Sequence, residues 1–178
     1  MAKKEPLVDV SALDKRWVMD IRYATTKNFT GKVLYPAARC LLLASVAKKL
    51  PKAQAYLDKH AKGMRLMFKD CYRPLSAQKK MWEIVKGTPK ARYVANPKRG
   101  SIHNYGAAVD LTLANKMGHE LDMGTPFLGK LTQAQVDNRR LLRRAMVHAG
   151  FKQLSIEWWH FDGIVWRALK GRSPKRRP

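Results

Sequence analysis

Two stretches of the chain carry side chains whose types and spacing suit metal chemistry. In GSIHNYGAAVDLTL, residues 100–113, His103 is followed seven positions later by Asp110, the only charged residue of an apolar run. A carboxylate among alanine, valine and leucine is costly to bury unless it is paired or bound to a metal. In EWWHF, His160 stands three residues after Glu157, with Trp158 and Trp159 between them as a dry wall. His103, Asp110 and His160 make a reasonable catalytic zinc set, because three protein ligands leave a fourth position for water. Glu157 would then be the base beside that water.

Spacing alone leaves a second reading open. Asp110 could cap a turn or pair with an arginine, while His160 packs against tryptophan. There is also a geometric condition: in a regular strand residues 157 and 160 point to opposite faces. Both reach one metal only if Glu157 lies at a strand end, a bulge or a turn. The other three histidines, His60, His119 and His148, are read as structural. His148 suits the C-terminal end of a helix dipole.

A second cluster is DCYRPLSAQ, residues 70–78. Arg73 falls where a strand ends, and Pro74 forces a turn. An arginine there can hold a carboxylate or an oxyanion. By itself the stretch reads equally as a surface arginine in a chain with 36 lysines and arginines.

The elements that must position these residues can be read from periodicity. SVAKKLPKAQAYLDKHAKG suggests a helix with Val46, Leu50, Ala53 and Leu57 on one stripe, kinked or split at Pro51 and stopped at Gly63. MRLMFKDCY alternates as a strand with Met64, Leu66 and Phe68 on one face. SAQKKMWEIVKG suggests a short helix capped by Ser76 and ended near Gly87. Residues 87–102 read as a long basic loop, AAVDLTLA as a buried strand, and NKMGHELDMGTP as loop and turn. TQAQVDNRRLLRRAMVHAG is the clearest helix, with a capping box from Thr132 to Gln135 and a stop at Gly150. SIEWWHFDGIVW closes the series as one or two strands, and WVMDIRYATTKNFTGKVL near the start is extended with a loop. Strands and helices mix without βαβ alternation, so the expected class is α+β: a small domain with a central, mainly antiparallel sheet packed by helices.

Length and composition agree with one domain over residues 1–169, followed by a basic, flexible tail over 170–178. Hydrophobic residues make up 46% of the 178, enough for a core. No apolar run is long enough to span a membrane, and no secretory signal is visible at the N-terminus. The formal net charge of +23 implies attraction to anionic surfaces, such as envelope polymers, without specifying nucleic acid. The two cysteines, Cys40 and Cys71, permit one disulfide in an oxidising compartment; the reading favours two buried thiols acting as small hydrophobes.

YATTKNFTG, YRPLSAQ, SIHNYGAAVDLTL and EWWHFD occur in the order seen in the zinc D-alanyl-D-alanine dipeptidases, the VanX-type enzymes. The resemblance covers residues 17–162. It implies a fold shared with the Hedgehog signalling domain, one zinc ion per chain, and hydrolysis of D-Ala-D-Ala or a related cell-wall peptide. It implies His103, Asp110 and His160 as zinc ligands, Glu157 as the base and Arg73 as the group that stabilises the tetrahedral intermediate. Ser101 and Tyr23 match substrate-lining positions, and Trp159 would help to shape the pocket. Gln78 resembles a substrate-contacting glutamine of the related D,D-carboxypeptidases and peptidoglycan endopeptidases, which keeps longer peptides open as the alternative.

The pattern departs from the family in two respects, both of which weaken strict dipeptide specificity: the segment between Asp110 and Glu157 is shorter, which implies a reduced lid over the site, and an expected acid is missing. The dipeptidases carry an acid after the MGxxF segment; here MGTPFLG has Leu128, and Asp122 is the alternative acid. A bacterial origin is implied, in the cell envelope if a signal was removed and otherwise in the cytoplasm. A further alternative is a basic, non-enzymatic binding protein on this fold.

Overall fold

The computed structural model describes residues 5–125 and 129–169. The expected tail over 170–178 and the departure at Leu128 lie outside the described residues. No described helix is long and apolar enough to cross a membrane.

The apolar run AVDLTLA forms strand β5, Ala108–Ala114, with all seven residues buried. It is the middle strand of a five-stranded sheet. The sheet also holds β2 (Val18–Met19), β4 (Arg65–Asp70), β6 (Lys152–Leu154) and β7 (Glu157–Asp162), in the order β2-β4-β5-β7-β6. Only the β2–β4 pair is parallel, so the expected α+β class with a mainly antiparallel sheet holds. Two further strands, β1 (Leu7–Asp9) and β3 (Leu41–Leu43), pair antiparallel in a small second sheet.

Alternation along β5 divides its side chains. Val109, Leu111 and Leu113 join the hydrophobic core, while Asp110 and Thr112 line a cleft on the other face. The core is closed by α2 (Leu50–His60) and α4 (Gln133–His148), which pack on one another. The predicted stripe of Val46, Leu50, Ala53 and Leu57 is wholly buried. Pro51 splits the helix as expected: a single turn, α1 (Ala44–Ala47), precedes α2, and Pro51 sits in the first turn of α2, where its missing N–H costs nothing. Thr132 and Gln135 form the predicted capping box of α4.

Three expectations are corrected. Helix α3 (Leu75–Val85) is not capped by Ser76; it begins directly after Pro74, without a side-chain cap, because the fixed proline turn already sets the entry. The basic loop contains a 3-10 turn, Pro89–Tyr93, capped by Thr88. Cys40 and Cys71 are not free thiols but a disulfide, with Cα atoms 5.1 Å apart across 31 residues. The Tyr72 N–H donates to the Leu41 carbonyl at 2.9 Å, which draws the start of β3 to the end of β4 and brings the cysteines within bonding range.

Two irregularities of the sheet matter for function. In β4 the register jumps from Phe68 opposite Leu111 to Asp70 opposite Asp110, with Lys69 as the extra residue. Without this bulge Asp70 would share the core face of Leu66 and Phe68; with it, Asp70 turns to the cleft beside Asp110. In β7 the register against β6 jumps from Phe161 opposite Gln153 to Glu157 opposite Leu154.

Candidate metal centre and active site

His160 and Asp110 are direct cross-strand neighbours on β7 and β5. His103 arrives from a 3-10 turn, Ile102–Tyr105, built by a local capping box. The Ser101 hydroxyl accepts from the His103 N–H at 3.3 Å, and the Asn104 side chain accepts from the Ser101 N–H at 2.7 Å. Asn104 also donates to the Arg73 carbonyl at 2.8 Å, and the Arg73 N–H donates to the His103 carbonyl at 3.1 Å. The turn with His103 and the strand end with Arg73 therefore hold each other in place.

Gly106, which ends this turn, has φ 67°. Smallness at 106 suggests a close approach to a metal, but the structure assigns it differently. A Cβ there would run into Leu7 of β1 and crowd the backbone of Leu43 in β3, whose N–H donates to the Gly106 carbonyl at 2.8 Å.

The donor atoms of the three predicted ligands converge. His160 Nδ1 lies 2.9 Å from Asp110 Oδ1 and 3.1 Å from His103 Nε2, and His103 Nε2 lies 3.3 Å from Asp110 Oδ1. Tetrahedral bonds of about 2.0–2.1 Å separate neighbouring ligand atoms by about 3.3 Å. Among the described residues these three are the group whose ligand atoms can close on one metal ion. Each outer nitrogen faces an acceptor, which leaves the inner nitrogen free for a cation. His103 Nδ1 is 2.7 Å from the Cys71 carbonyl, which can only accept, so that nitrogen carries the proton. His160 Nε2 is 2.9 Å from the Asp162 carboxylate and donates to it. Both inner nitrogens then offer lone pairs, and the outer carbonyl and carboxylate act as the supports that metal-binding imidazoles usually have. The residues present fit a zinc ion.

Without a cation, that many lone pairs repel, and the electrostatics register it. Burial opposes the charge on His160, yet its hydrogen bonds to Asp110 and Asp162 raise its pKa to about 10. Burial also opposes the charge on Asp110, and the two imidazoles nevertheless hold its carboxyl far below the usual range. The site attracts positive charge.

Glu157 meets the geometric condition read from the sequence. It opens β7 at the bulge, and its carboxylate lies 3.9 Å from His160 Nδ1. Burial first, and the Asp110 charge second, push its pKa above the ordinary carboxyl value. Such a group sits closer to neutral pH as an acceptor and donor of protons.

Arg73 is buried and bound on three sides. Its Nε and Nη2 donate to Asp70 Oδ2 at 2.9 and 2.6 Å, and its Nη1 donates to Gln78 Oε1 at 2.9 Å. Burial opposes its charge, but Asp70 secures it. Two of its five N–H groups are left over, with Nη2 3.8 Å from Asp110 Oδ2. Tyr23 lies beside it, the guanidinium carbon 5.4 Å from the ring centre. Burial holds the Tyr23 hydroxyl protonated, against the pull of Arg73.

His103, Asp110, His160, Asp162, Glu157, Arg73, Asp70 and Tyr23 line one cavity of about 1150 Å³, together with Ser101 and Trp159; Gln78 does not. Gln78 is fully buried behind Arg73: its oxygen accepts from the arginine and its nitrogen donates to the Ala95 carbonyl at 2.6 Å. It positions Arg73 and is not placed to touch a ligand. Asp122 lines the cavity, but its carboxylate accepts from the Gly124 N–H and from Gln135.

Three site residues were not singled out from the sequence. Asp70 anchors Arg73 and also accepts from the Tyr35 hydroxyl at 2.6 Å. Asp162 orients His160, and Asn104 joins the two halves of the site. The spacing HFD carried a signal for Asp162, since residues two apart on a strand share a face. Nothing in the local pattern marked Asp70, because its orientation depends on the bulge at Lys69.

An imidazole–carboxylate centre with a raised glutamate and a fixed arginine, in the cleft of an α+β fold, places the protein among the metallopeptidases. Comparison narrows the class. Residues 3–169 match the family described as D-ala-D-ala dipeptidase, and the chain belongs to that family. It is 35% identical over 176 residues to the D-alanyl-D-alanine dipeptidase of Escherichia coli (strain K12), covering 91% of this chain and 86% of that protein. It is 32% identical to the enzyme of the same name from Enterococcus faecalis (strain ATCC 700802 / V583), covering 84% and 86%. It is also 32% identical to that of Streptomyces coelicolor (strain ATCC BAA-471 / A3(2) / M145), covering 82% and 84%.

Proposed function

We propose that the protein is a zinc-dependent peptidase that splits D-Ala-D-Ala. The observation that carries this reading is the convergence of His103 Nε2, Asp110 Oδ1 and His160 Nδ1, with the Glu157 carboxylate 3.9 Å from His160 Nδ1. Zinc held by these atoms would polarise the scissile carbonyl and acidify a water molecule.

The remaining steps belong to the protein's own groups. Glu157 takes the proton of the attacking water and delivers it to the leaving amine nitrogen, a role that its raised pKa suits. Arg73, fixed by Asp70 and Gln78, directs its spare N–H groups to the developing oxyanion at no cost in reorganisation. The protonated Tyr23 hydroxyl donates to the substrate, and the Ser101 hydroxyl, already an acceptor from His103, keeps its proton to donate. Trp159 walls the site and limits the entry of water.

The alternative of a non-enzymatic basic protein is disfavoured by the presence of the base and the oxyanion cation around a complete ligand set. The Cys40–Cys71 disulfide supports an oxidising compartment, and hence the cell envelope, over the cytoplasm. The test is release of D-alanine from D-Ala-D-Ala by zinc-loaded protein, abolished by a chelator and restored by zinc. A zinc-loaded, folded protein that releases no D-alanine overturns the reading.

A further inference from the structure

Tyr35 is buried and does not line the cavity, yet it reaches the carboxylate that holds Arg73. Its hydroxyl donates to Asp70 Oδ1 at 2.6 Å, and the Cys71 N–H donates to the same oxygen at 2.9 Å. Burial first, and the Asp70 charge second, push the Tyr35 pKa well above that of a free tyrosine, so the hydroxyl keeps the proton it donates. Asp70 Oδ2 is left for Arg73, and both Nε and Nη2 bond to this one oxygen, at 2.9 and 2.6 Å. Arginine and a carboxylate frequently meet instead as a two-pronged fork, one N–H to each oxygen.

The other contacts of Tyr35 lead to the same arginine. Its N–H donates to the Tyr23 carbonyl at 2.9 Å, and the two rings lie 5.6 Å apart between centres. The Tyr23 ring is the one that the Arg73 guanidinium faces. Tyr35 therefore stands behind two neighbours of Arg73, the carboxylate that bonds it and the ring beside it.

Resting on the peptidase reading above, we infer that Tyr35 is a positioning residue for Arg73 and acts through Asp70. By occupying Asp70 Oδ1 it keeps the guanidinium off the two-oxygen fork. The guanidinium stays turned so that Nη1 reaches Gln78 at 2.9 Å and Nη2 lies 3.8 Å from Asp110 Oδ2, with the spare N–H groups free for the oxyanion. Without the hydroxyl, Oδ1 keeps only the Cys71 N–H. The pair then relaxes into the fork and turns the spare N–H groups away from the reacting carbonyl. A donor misplaced in this way stabilises the transition state less, while substrate binding is little altered.

The test is Tyr35→Phe, which removes the hydroxyl and keeps the ring against Tyr23, measured on zinc-loaded protein and again in an Arg73→Lys background. For D-alanine release from D-Ala-D-Ala, kcat should fall about 10–100-fold with KM within about twofold of its starting value. Zinc content should stay near one per chain. In Arg73→Lys, whose ammonium cannot form a fork, the same substitution should change kcat by less than about twofold. An unchanged kcat, an equal fall in both backgrounds, or a loss of zinc overturns the inference. A second readout needs no catalysis. In protein labelled with ¹⁵N-arginine, the Arg73 Nε–H resonance, identified by its absence from Arg73→Lys, should move in Tyr35→Phe while those of exposed arginines stay in place. A resonance that does not move overturns the inference whatever the kinetics. A resonance that moves in a protein that hydrolyses nothing upholds the hold of Tyr35 on Arg73 and overturns the peptidase reading.

Discussion

Two parts of the cavity lining handle charge in opposite ways. Around the candidate metal centre Asp70, Arg73, His103, Asp110 and His160 are buried, and their partners orient them: Asp70 holds Arg73, Asp162 holds His160, and the Cys71 carbonyl holds His103. In the segment 90–99, which also lines the cavity, Lys90, Arg92 and Arg99 are exposed and without carboxylate partners among the described residues. Buried charges cost too much to be left unpaired, so the first part is rigid by necessity. Exposed charges cost little and can follow whatever arrives.

The contrast can be broken most severely at Glu157. Glu157→Gln should lower D-alanine release about a thousandfold while zinc content, measured by elemental analysis, stays near one per chain. Equal loss of zinc and activity would mean that Glu157 acts as a ligand rather than a base.

Removing one charge from the rigid part should cost stability. Asp70→Ala leaves the Arg73 cation buried and uncompensated, and about 3–5 kcal/mol should be lost in urea unfolding. Cutting the Cys40–Cys71 bridge, which spans 31 residues, should cost about 3–4 kcal/mol in the same assay, by freeing the unfolded chain. Because Cys71 also carries the carbonyl that orients His103, zinc affinity should weaken with it.

A milder probe of the same part is Asp162→Asn, which weakens the support of His160. Zinc affinity, measured by competition with a chelator, is expected to drop about 10–100-fold with little change in fold. The smallest effect is the counterpart in the exposed segment. Arg99→Gln removes a full charge, as Asp70→Ala does, yet should shift stability by no more than about 0.5 kcal/mol. A large loss there would show that the segment is structural and would remove the distinction between the two parts.

Much of the metal centre was legible before any folding was considered. Asp110 stood out because an acid within AAVDLTL has to be compensated, and the buried run around it marked the central strand. His160 stood out through its neighbours, two tryptophans and a glutamate. The helix over Gln133–His148 was legible from its capping box and its Gly150 stop. Arg73 was legible as a strand-end cation, but its partner was not. Regular alternation along RLMFKD would put Asp70 on the core side with Leu66 and Phe68, and only the extra residue at Lys69 turns it to the cleft. The same difficulty applied to Glu157 and His160, whose spacing called for an irregular strand that no local pattern could supply. Gln78 looked like a ligand contact and proves to be a prop for Arg73, because burial in α3 was not visible from its position after YRP.

By itself the sequence determined the inventory: two histidines and an aspartate proposed for one cation, a glutamate and an arginine proposed for the reaction, and the apolar strands and helices to carry them. Those properties are local, set by side-chain chemistry and by the periodicity of burial. The tertiary structure decided which carboxylates support the site, that Cys40 and Cys71 are joined, and which cations around the cavity are paired. These depend on cross-strand register and on distances between segments far apart in the chain. A single inserted residue in a strand reverses every facing beyond it.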